Sequence, residues 1–294
     1  MDNNDIMLTV IIVTYNHEDS IAKALDSVLE QETTYPYEIW LCEDCSTDAT
    51  LSICKDYTKR YPDIIKLFAQ TVNTYSDPHK IFHYVTALKS VKTKYLCMLD
   101  GDDAWCDKKK IQIALDILED KPEYVIFAHD TMYNNRIKNT RKSMVHEIFK
   151  TEIQNPVTFE TAPFFHTSAR IYRNVVKFSK KTNFGDIYLF YSYLDKGPLY
   201  YYDKIMSVYN KTGKGVWSGL PHGDGKKISL LLNGTLNKYF NYKYDLFFTR
   251  KVHEKTKTLE LFKKIFGMKL GWDFWMLTQF KHREFSNKNL YDHK

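Results

Sequence analysis

The feature that most constrains the fold is a regular alternation of short apolar runs and amphipathic segments in the first 130 residues. The run Leu8–Val13 is typical of a strand buried on both faces, and Ile21–Leu29 repeats its apolar residues at helical spacing. The predicted strands cover 8–13, 37–42, 64–69, 95–99 and 124–129, and the predicted helices cover 21–29, 46–61, 79–91 and 107–120. This alternation predicts an α/β, Rossmann-like fold whose mostly parallel sheet is flanked by helices.

Polar loops follow three of the predicted strands. They are Thr14–His17, Glu43–Asp48 and Asp100–Trp105. Within the second loop Ser46 or Thr47 is predicted to cap the following helix, and Thr47 and Asp48 fit a cap better than a ligand role. Ligands of doubly wound parallel sheets bind beyond the carboxyl ends of the strands. The sequence therefore predicts one binding site that all three loops line.

An acid cluster closes the fourth predicted strand. The apolar run Tyr95–Leu99 ends in Asp100, Asp102 and Asp103, and so much like charge at the end of a core strand is costly unless a cation neutralises it. Oxygen ligands of this kind suit Mg²⁺ or Mn²⁺ shared with a phosphate, and Gly101 lets the backbone turn closely between two carboxylates. The alternative is an ordinary polar turn, but the convergence of three loops favours the metal site.

The regular alternation ends after residue 130. The elements predicted there are a polar, basic insertion or hairpin over 131–146, a strand over 164–172, a helix over 184–194, two short strands over 199–202 and 205–209, and a glycine-rich mobile loop over 211–225. Amphipathic helices are predicted from residue 226 onward. No internal repeat or low-complexity linker separates these segments.

The C-terminal part is basic and aromatic. From Lys226 onward it carries 15 Lys or Arg against 6 Asp or Glu, a net charge of +9, whereas the whole chain carries +6. Together with Phe266, Trp272, Phe274 and Trp275, this charge predicts either peripheral contact with the inner membrane face or packing on the rest of the protein or on a second copy, as in a homo-oligomer. Nucleic acid is disfavoured as a partner because the charge is diffuse and no recognised module is present.

Cysteine usage and the start of the chain bear on the compartment. The five cysteines include no second pair or histidine cluster at zinc spacing, so a reduced, cytoplasmic compartment is expected. The acidic start does not look like a signal peptide, and the apolar run Met7–Val13 is too short to span a bilayer. We therefore expect a cytoplasmic protein that is at most peripheral to a membrane.

Several short motifs stand in a particular order along the chain. They are Val10–Asn16, Glu43–Asp48, Leu99–Trp105 and Phe184–Leu189, followed by Ser207–Tyr209 and Gly215–Ser218. Over residues 7–220 the sequence resembles the family 2 inverting glycosyltransferases, which have the GT-A fold. The resemblance implies a GT-A domain over 1–220, with a nucleotide-sugar-binding half (1–130) and an acceptor half (131–220), and a helical C-terminal extension over 221–294.

The resemblance also implies roles for individual residues on the donor side. The nucleotide contacts would come from Thr14, Tyr15, Asn16, Glu43, Asp44, Asp100 and Gly101. Asp44 is suited to accept a hydrogen bond from a uracil N–H. Asp102 is the first choice of metal ligand, with Asp100 and Asp103 beside it, and a bound Mn²⁺ or Mg²⁺ would stabilise charge on the leaving diphosphate.

On the acceptor side the resemblance implies that Asp186 is the general base; the alternative is a helix cap or dipole partner. His166 and Thr167 stand where an acceptor would approach, and Trp105 is either a wall of the sugar pocket or a core aromatic. The chain departs from the family after Tyr209. Many members carry Arg-x-His there, whereas this chain reads Asn-Lys-Thr over 210–212. Pocket roles are therefore assigned to Lys211, with Lys214 as the other candidate cation of that loop, and to Trp217.

Taken together, the sequence predicts a metal-dependent inverting glycosyltransferase. It would move a sugar from a nucleotide diphosphate, with UDP as first choice, to a saccharide or lipid-linked saccharide acceptor in cell-surface glycan or polysaccharide synthesis. The alternative is a catalytically silent, GT-A-like nucleotide-binding or assembly module. A sugar nucleotidylyltransferase is disfavoured, because the segment Thr14–Asp19 lacks the glycines of the phosphate loop in that class.

Overall fold

The computed structural model describes residues 6–74, 83–146, 153–177, 185–211 and 224–251, together with 259–261, 263–264, 267–269 and 271–272. The chain divides into two compact units, Met1–Thr212 and Gly213–Lys294. Residues 212–223, with the predicted pocket residue Trp217, lie outside the described residues, as do Phe266, Phe274 and Trp275.

The first half of unit 1 is a parallel sheet covered by helices, as the sequence predicts. Its strands are β1 (Leu8–Thr14), β2 (Tyr37–Glu43), β3 (Ile65–Ala69) and β4 (Tyr95–Asp100), in the spatial order β3-β2-β1-β4. Its helices are α1 (Ile21–Leu29), α2 (Thr50–Arg60), α3 (His83–Ser90) and α4 (Lys110–Asp120). Both faces of β1 are buried, which explains its uninterrupted β-branched sequence.

The second half of unit 1 extends the same sheet with both antiparallel and parallel pairs. Its elements are β5 (Ala104–Trp105), β6 (Ile126–Asn135), β7 (Thr140–Ser143), β8 (Arg170–Arg173), α5 (Gly185–Leu194) and β9 (Leu199–Lys211). Strand β8 lies between β4 and β6, antiparallel to both. Strand β9 runs parallel to β6 and pairs with β5, while β7 forms a hairpin with β6. Of the two predictions for 131–146, the hairpin is therefore correct.

The strand predicted over 164–172 is wrong in its first half. Residues Thr167–Ala169 form a single 3₁₀ turn, and β8 begins only at Arg170. The His166 side chain accepts a hydrogen bond from the Ser168 N–H, and the Arg170 side chain donates to the His166 carbonyl. These side-chain contacts favour the turn over the extended backbone that the apolar pattern predicts.

The two short strands predicted around Asp203 are one 13-residue strand, β9. The register against β6 shifts twice, between His129 and Asp130 and between Asp130 and Thr131. Bulges of this kind accommodate the exposed polar residues Asp203 and Lys204 without ending the strand.

Of the residues predicted to cap α2, Ser46 and Thr47 do not do so, whereas Asp48 contacts the first turn. The helix begins at Thr50, whose N–H donates to Asp48 Oδ1 at 2.9 Å, so Asp48 supports its first turn. Ser46 and Thr47 instead hydrogen-bond to Asn16 in the neighbouring loop. The sequence offered several candidate capping residues in a row, and tertiary contacts selected among them.

Unit 2 contains α6 (Asp224–Tyr239) and α7 (Asp245–Lys251). Asp245, in the first turn of α7, accepts from Trp272 Nε1 at 2.6 Å and pairs with Lys263 Nζ at 2.6 Å. Trp272 is fully buried, so the expectation that it faces a membrane is wrong for this residue. Within the described part of the chain, no helix is long and apolar enough to cross a membrane.

Replacing Trp272 with alanine should destabilise unit 2 substantially. Truncating a buried aromatic side chain costs about 3–5 kcal/mol, and the Asp245 carboxylate would also lose a donor. Urea unfolding followed by circular dichroism would measure the loss. Leu246→Ala is the matched control, because Leu246 is 71% exposed on the adjacent helix. A Trp272→Ala cost as small as that of the control would contradict the core assignment.

Candidate active site

The two loops predicted to hold a nucleotide are joined through Asn16. Its backbone has φ of +53°, a left-handed conformation that asparagine adopts more readily than most residues. Its N–H donates to Ser46 Oγ at 3.0 Å, and its Oδ1 accepts from the Thr47 N–H at 2.8 Å. Because both loops are fixed to each other, they present one continuous surface at the ends of β1 and β2.

Glu43 shapes the second loop from the inside. It is fully buried, and its carboxylate accepts from the Cys45 N–H at 3.3 Å and from the Ser46 N–H at 2.6 Å. Cys45 has φ of +63°, a backbone conformation that residues other than glycine rarely adopt. The two hydrogen bonds to Glu43 stabilise the turn in this conformation. The structure thus gives Glu43 a role within the loop.

Asp44 is tied to a segment that the sequence analysis did not single out. Its Oδ1 accepts from the Thr74 N–H at 2.8 Å and from Thr74 Oγ1 at 2.6 Å, and its carbonyl accepts from Asn73 Nδ2 at 3.0 Å. The loop after β3 therefore belongs to the candidate site. In the sequence, only the position of this loop indicated that it belongs to the site, because it is a polar loop at the carboxyl end of another parallel strand. Tyr15, in contrast, is among the exposed large side chains.

Gly101 brings the backbone of the acid cluster close to the end of β1. Its N–H donates to the Val13 carbonyl at 2.8 Å. A Cβ atom at this position would lie 2.7 Å from Thr14 Oγ1 and 2.8 Å from His17 Nδ1. Only glycine fits here. Because it has no side chain, the acid cluster can lie directly against the end of β1.

The centre of the site is a group of three potential metal ligands, Asp100, Asp103 and His166. One ligand atom from each lies within 4.8 Å of the others. Asp103 Oδ1 accepts from the Asn210 N–H at 3.0 Å. Asp103 Oδ2 is buried, has no hydrogen-bond partner among the described residues and lies 3.6 Å from His166 Nδ1. An unpaired buried carboxylate oxygen beside a second carboxylate and an imidazole fits a divalent cation.

Burial and mutual repulsion shift the protonation of this group. Burial raises the pKa of Asp100 to about 7, and the Asp102 and Asp186 carboxylates add to the shift. Burial, with Asp102 and Asp100 nearby, holds the pKa of Asp103 well above its usual range. Burial also lowers the pKa of His166 to about 3, which leaves the imidazole neutral and able to bind a metal. A bound cation would offset the carboxylate repulsion and favour the ionised form.

His166 joins the group that was predicted to consist of carboxylates alone. Asp102, the first choice of ligand from the sequence, is not one of the three clustered residues, although it is close enough to affect both other carboxylates. Its carbonyl accepts from Asn210 Nδ2 at 2.9 Å. Asn210, at the place of the family's Arg-x-His, thus holds the acid loop by both its backbone and its side chain.

Asp186 is positioned by a buried arginine that the sequence analysis missed. Arg170 is 1% exposed; its Nη1 donates to the Asp186 carbonyl at 3.1 Å, and its Nη2 lies 3.7 Å from Asp186 Oδ2. Thr167 Oγ1 accepts from Arg170 Nη2 at 3.0 Å and donates to Asp186 Oδ2 at 3.2 Å. The Asp186 side chain remains 29% exposed, so it can still reach a ligand.

Lys110 holds the same turn from the other side. It is fully buried, its Nζ donates to the Ser168 carbonyl, and burial lowers its pKa to about 7. Ser168 Oγ lies 2.8 Å from His166 Nδ1 and donates to Ser207 Oγ at 3.0 Å. The imidazole is therefore fixed by neighbours that are themselves anchored in the sheet.

Two predicted pocket residues have other surroundings. Trp105 is buried in the core cluster with Lys110 Nζ 4.0 Å from its ring centroid, so the core alternative describes it better than a pocket wall. Lys211 ends β9, directly after Asn210, and its carbonyl accepts from the Arg136 N–H.

Solved structures share this architecture. Mannosyltransferase PcManGT from Pyrobaculum calidifontis, solved in complex with GDP-Man and Mn²⁺, matches with a TM-score of 0.58 and 15% identity over 98% of this chain and 88% of its own. TarS residues 1–349 from S. aureus, solved in complex with UDP-GlcNAc, match with a TM-score of 0.57 and 18% identity over 87% of this chain and 81% of their own. The fold is the GT-A fold of nucleotide-sugar-dependent glycosyltransferases.

The family follows from the sequence match. The family model for glycosyl transferase family 2 matches residues 9–177, more than half of the chain. The chain belongs to glycosyl transferase family 2. A dTDP-rhamnosyl transferase, RfbG of Shigella flexneri, is 31% identical over 51% of this chain and 50% of its own length. An uncharacterized protein of Mycobacterium bovis is 25% identical over 71% of this chain, which spans 60% of that relative's length.

The buried Lys110 predicts a pH-dependent stability difference. Its folded pKa of about 7 lies below the usual lysine pKa of 10.5. Between these values the unfolded chain binds more protons, so Lys110 costs least stability at high pH. From pH 7 to pH 9, the wild type should gain up to about 1.4 kcal/mol per pH unit relative to Lys110→Met. Urea unfolding of both proteins at three pH values would measure this gain; a constant difference would mean that Lys110 stays charged when folded.

Proposed function

We propose that this protein is a metal-dependent inverting glycosyltransferase that moves a sugar from a UDP-sugar to a saccharide or lipid-linked saccharide acceptor. The observation that carries the proposal is the group of Asp100, Asp103 and His166, in which the buried Asp103 Oδ2 is unpaired among the described residues. Asp186 lies close enough to contribute to the raised pKa of Asp100, so a candidate base stands beside the candidate metal site.

The metal-binding residues would be Asp100, Asp103 and His166, with Asp102 adjacent. Two carboxylates and a neutral imidazole suit Mn²⁺ better than Mg²⁺, which prefers oxygen ligands and retains water. When bound, the cation supplies positive charge that stabilises the leaving diphosphate. His166 would provide an imidazole from the turn before β8, whereas the family pattern carries its histidine after Tyr209. The protein holds two of these ligands in place, His166 through Ser168 and Asp103 through Asn210.

Asp186 would act as the general base. An inverting transfer needs one carboxylate that takes the proton of the acceptor hydroxyl while that oxygen attacks the anomeric carbon from the side opposite the diphosphate. Arg170 and Thr167 fix the Asp186 carboxylate. Arg170 donates to the Asp186 carbonyl and lies near Oδ2, and Thr167 donates to Oδ2. A base whose position is fixed in advance loses little freedom as the transition state forms.

The nucleotide would lie on the joined loops after β1, β2 and β3. Asp44 stands at their centre and would accept from a uracil N–H, with Thr14, Tyr15 and Asn16 beside it. TarS, which is similar in fold, has been solved with UDP and with UDP-GlcNAc, and this supports UDP as the nucleotide. Relatives named for rhamnosyl transfer and for teichuronic acid biosynthesis support a place in cell-surface glycan synthesis.

A catalytically silent module is the competing proposal. It explains the fold and the nucleotide loops equally well. It gives no reason for a buried arginine that orients Asp186, or for an unpaired carboxylate beside a neutral imidazole, since both arrangements cost stability. We therefore favour the enzyme.

Metal dependence is the first test. UDP should raise the melting temperature only with Mn²⁺ or Mg²⁺ present, and slow hydrolysis of a UDP-sugar should stop with EDTA and return with Mn²⁺. Asp103→Asn and His166→Gln should each weaken Mn²⁺ binding, followed by the electron paramagnetic resonance signal of free Mn²⁺, by about 10- to 100-fold. Asp63→Asn, at an exposed site, is the control. Unchanged Mn²⁺ affinity in both cluster variants would refute the metal site.

The role of Asp186 and its support by Arg170 give a second test. Asp186→Asn should lower kcat by about 10²- to 10⁴-fold while UDP binding, measured by calorimetry, is retained. Arg170→Lys should also lower kcat, because lysine cannot reproduce the forked contacts. Arg173→Lys is the matched control; Arg173 lies on the same strand and bonds to the Tyr124 and Leu118 carbonyls instead. Equal kcat values for the Arg170→Lys and Arg173→Lys variants would refute the proposal that Arg170 positions Asp186.

A further inference from the structure

A row of aromatic side chains leads away from the metal-binding group across the sheet. The ring centroids of His166 and Tyr209 lie 4.5 Å apart, and those of Tyr209 and Tyr133 lie 5.6 Å apart. The strand register places Tyr133 opposite Tyr209 on β9 and opposite Lys142 on β7. Because residues paired across strands share a face of the sheet, Lys142 stands at the end of this row. We call Tyr209, Tyr133 and Lys142 the aromatic ledge.

One end of the ledge lies beside the candidate metal-binding group. Burial raises the pKa of Tyr209, and the carboxylates of Asp103, Asp102 and Asp100 add to that shift, so its ring lies close to the acid cluster. Its other neighbour, His166, is one of the three potential ligands. A molecule that lies on this row therefore has one end at the candidate site and the other at the β6–β7 hairpin.

The two tyrosines are available for contact. Both are only partly buried, and within the described part of the chain neither hydroxyl makes a hydrogen bond. The adjacent row is different, because Asn210, Asn134 and Arg141 are linked to one another by hydrogen bonds of 2.8 and 3.4 Å. One face of these strands thus serves to hold the acid loop, and the other presents two tilted rings. Flat aromatic rings bind the apolar C–H face of a sugar while polar edges remain in water.

The β6–β7 hairpin, which carries Tyr133 and Lys142, is strongly basic. It bears Arg136, Lys138, Arg141 and Lys142, all exposed, and no Asp or Glu occurs between residues 131 and 145. Among the described residues, none of these four cations pairs with a carboxylate. Lys142 is the cation that the strand register places at the end of the sugar-binding surface, and it favours an anionic group on the ligand. Phosphate is an anion that lysine binds readily.

We propose that the aromatic ledge is the acceptor subsite and that the acceptor is a saccharide carrying phosphate. Its sugar ring stacks on Tyr133 and Tyr209, and its phosphate reaches Lys142. This inference rests on the proposed transfer reaction and adds the chemical class of the acceptor. The phosphate can stand on the anomeric oxygen, as in a lipid-linked sugar, or elsewhere on the ring, as in a phosphate-linked chain.

Saturation-transfer NMR with three probes tests the ledge by binding alone. The probes are glucose 1-phosphate, glucose 6-phosphate and methyl glucoside, each measured with and without UDP and Mg²⁺ so that binding at the donor site is recognised. At least one sugar phosphate should bind more tightly than methyl glucoside. A preference for glucose 1-phosphate would indicate an anomeric phosphate, and a preference for glucose 6-phosphate a phosphate elsewhere on the ring. Equal binding of all three probes would overturn the phosphate assignment.

Variants separate the stacking from the charge. Tyr133→Leu should weaken every probe about threefold to tenfold, while Tyr133→Phe, which keeps the ring, should bind like the wild type. Lys142→Ala should weaken only the sugar phosphates. The controls are Tyr200→Leu, at the far end of β9, and Lys59→Ala, at an exposed position of α2. If Tyr133→Leu and Lys142→Ala bind like these controls, the ledge is not the acceptor subsite.

Turnover distinguishes failure of this inference from failure of the proposed function. If the wild type shows no metal-dependent hydrolysis of any UDP-sugar, the proposed function fails, whatever the probes show. If hydrolysis is present, the ratio of transfer to hydrolysis should fall about threefold to tenfold in Tyr133→Leu relative to Tyr200→Leu. An unchanged ratio would refute the ledge alone and leave the donor site as proposed.

Discussion

The crowding of two carboxylates at the end of β4 is the constraint on which the rest of the site depends. Asp103 is buried and the half-buried Asp100 lies close to it, and the pKa of each is raised. A pair of this kind is costly unless donors and positive charge surround it. The Asn210 backbone, the His166 ring and the Arg170 guanidinium come from separate elements of the second half, and each faces this negative charge. The second half of unit 1 is thus arranged as a partner for the acid loop.

Two buried basic side chains give that arrangement its rigidity. Both side chains donate hydrogen bonds to the turn at Thr167–Ala169 or to the residue before it. Arg170 donates to the His166 carbonyl and to Thr167 Oγ1, and Lys110 donates to the Ser168 carbonyl. Because buried charged groups are tolerated only when they are hydrogen-bonded, the turn has few alternative conformations. His166 and Asp186 lie on either side of it, so the candidate metal ligand and the candidate base are positioned by the same network.

The first half of the chain was predictable because its signals are local. Runs of buried β-branched residues and helical periodicity lie within single segments, and they located four parallel strands and four helices to within a few residues. The same pattern failed at 164–172, where side-chain contacts of His166 and Arg170 produce a turn, and it divided β9 in two because bulges hide its continuity. For Trp272 the sequence left membrane contact and packing within protein as open alternatives, for a related reason. An aromatic residue in a basic tail looks the same in sequence whether it faces a membrane or a buried aspartate.

By itself, the sequence determined that this is an α/β protein of glycosyl transferase family 2, with three polar loops and an acid cluster at one edge of its sheet. Tertiary structure alone decided which carboxylates are buried, that His166 joins them and that Arg170 orients Asp186. It also decided that Tyr133 and Tyr209 form one surface. The physical reason is separation along the chain: Asn210 and Asp103, for example, are 107 residues apart and meet only because β9 lies beside β5. Such contacts follow from strand register, and periodicity within a segment carries no information about it.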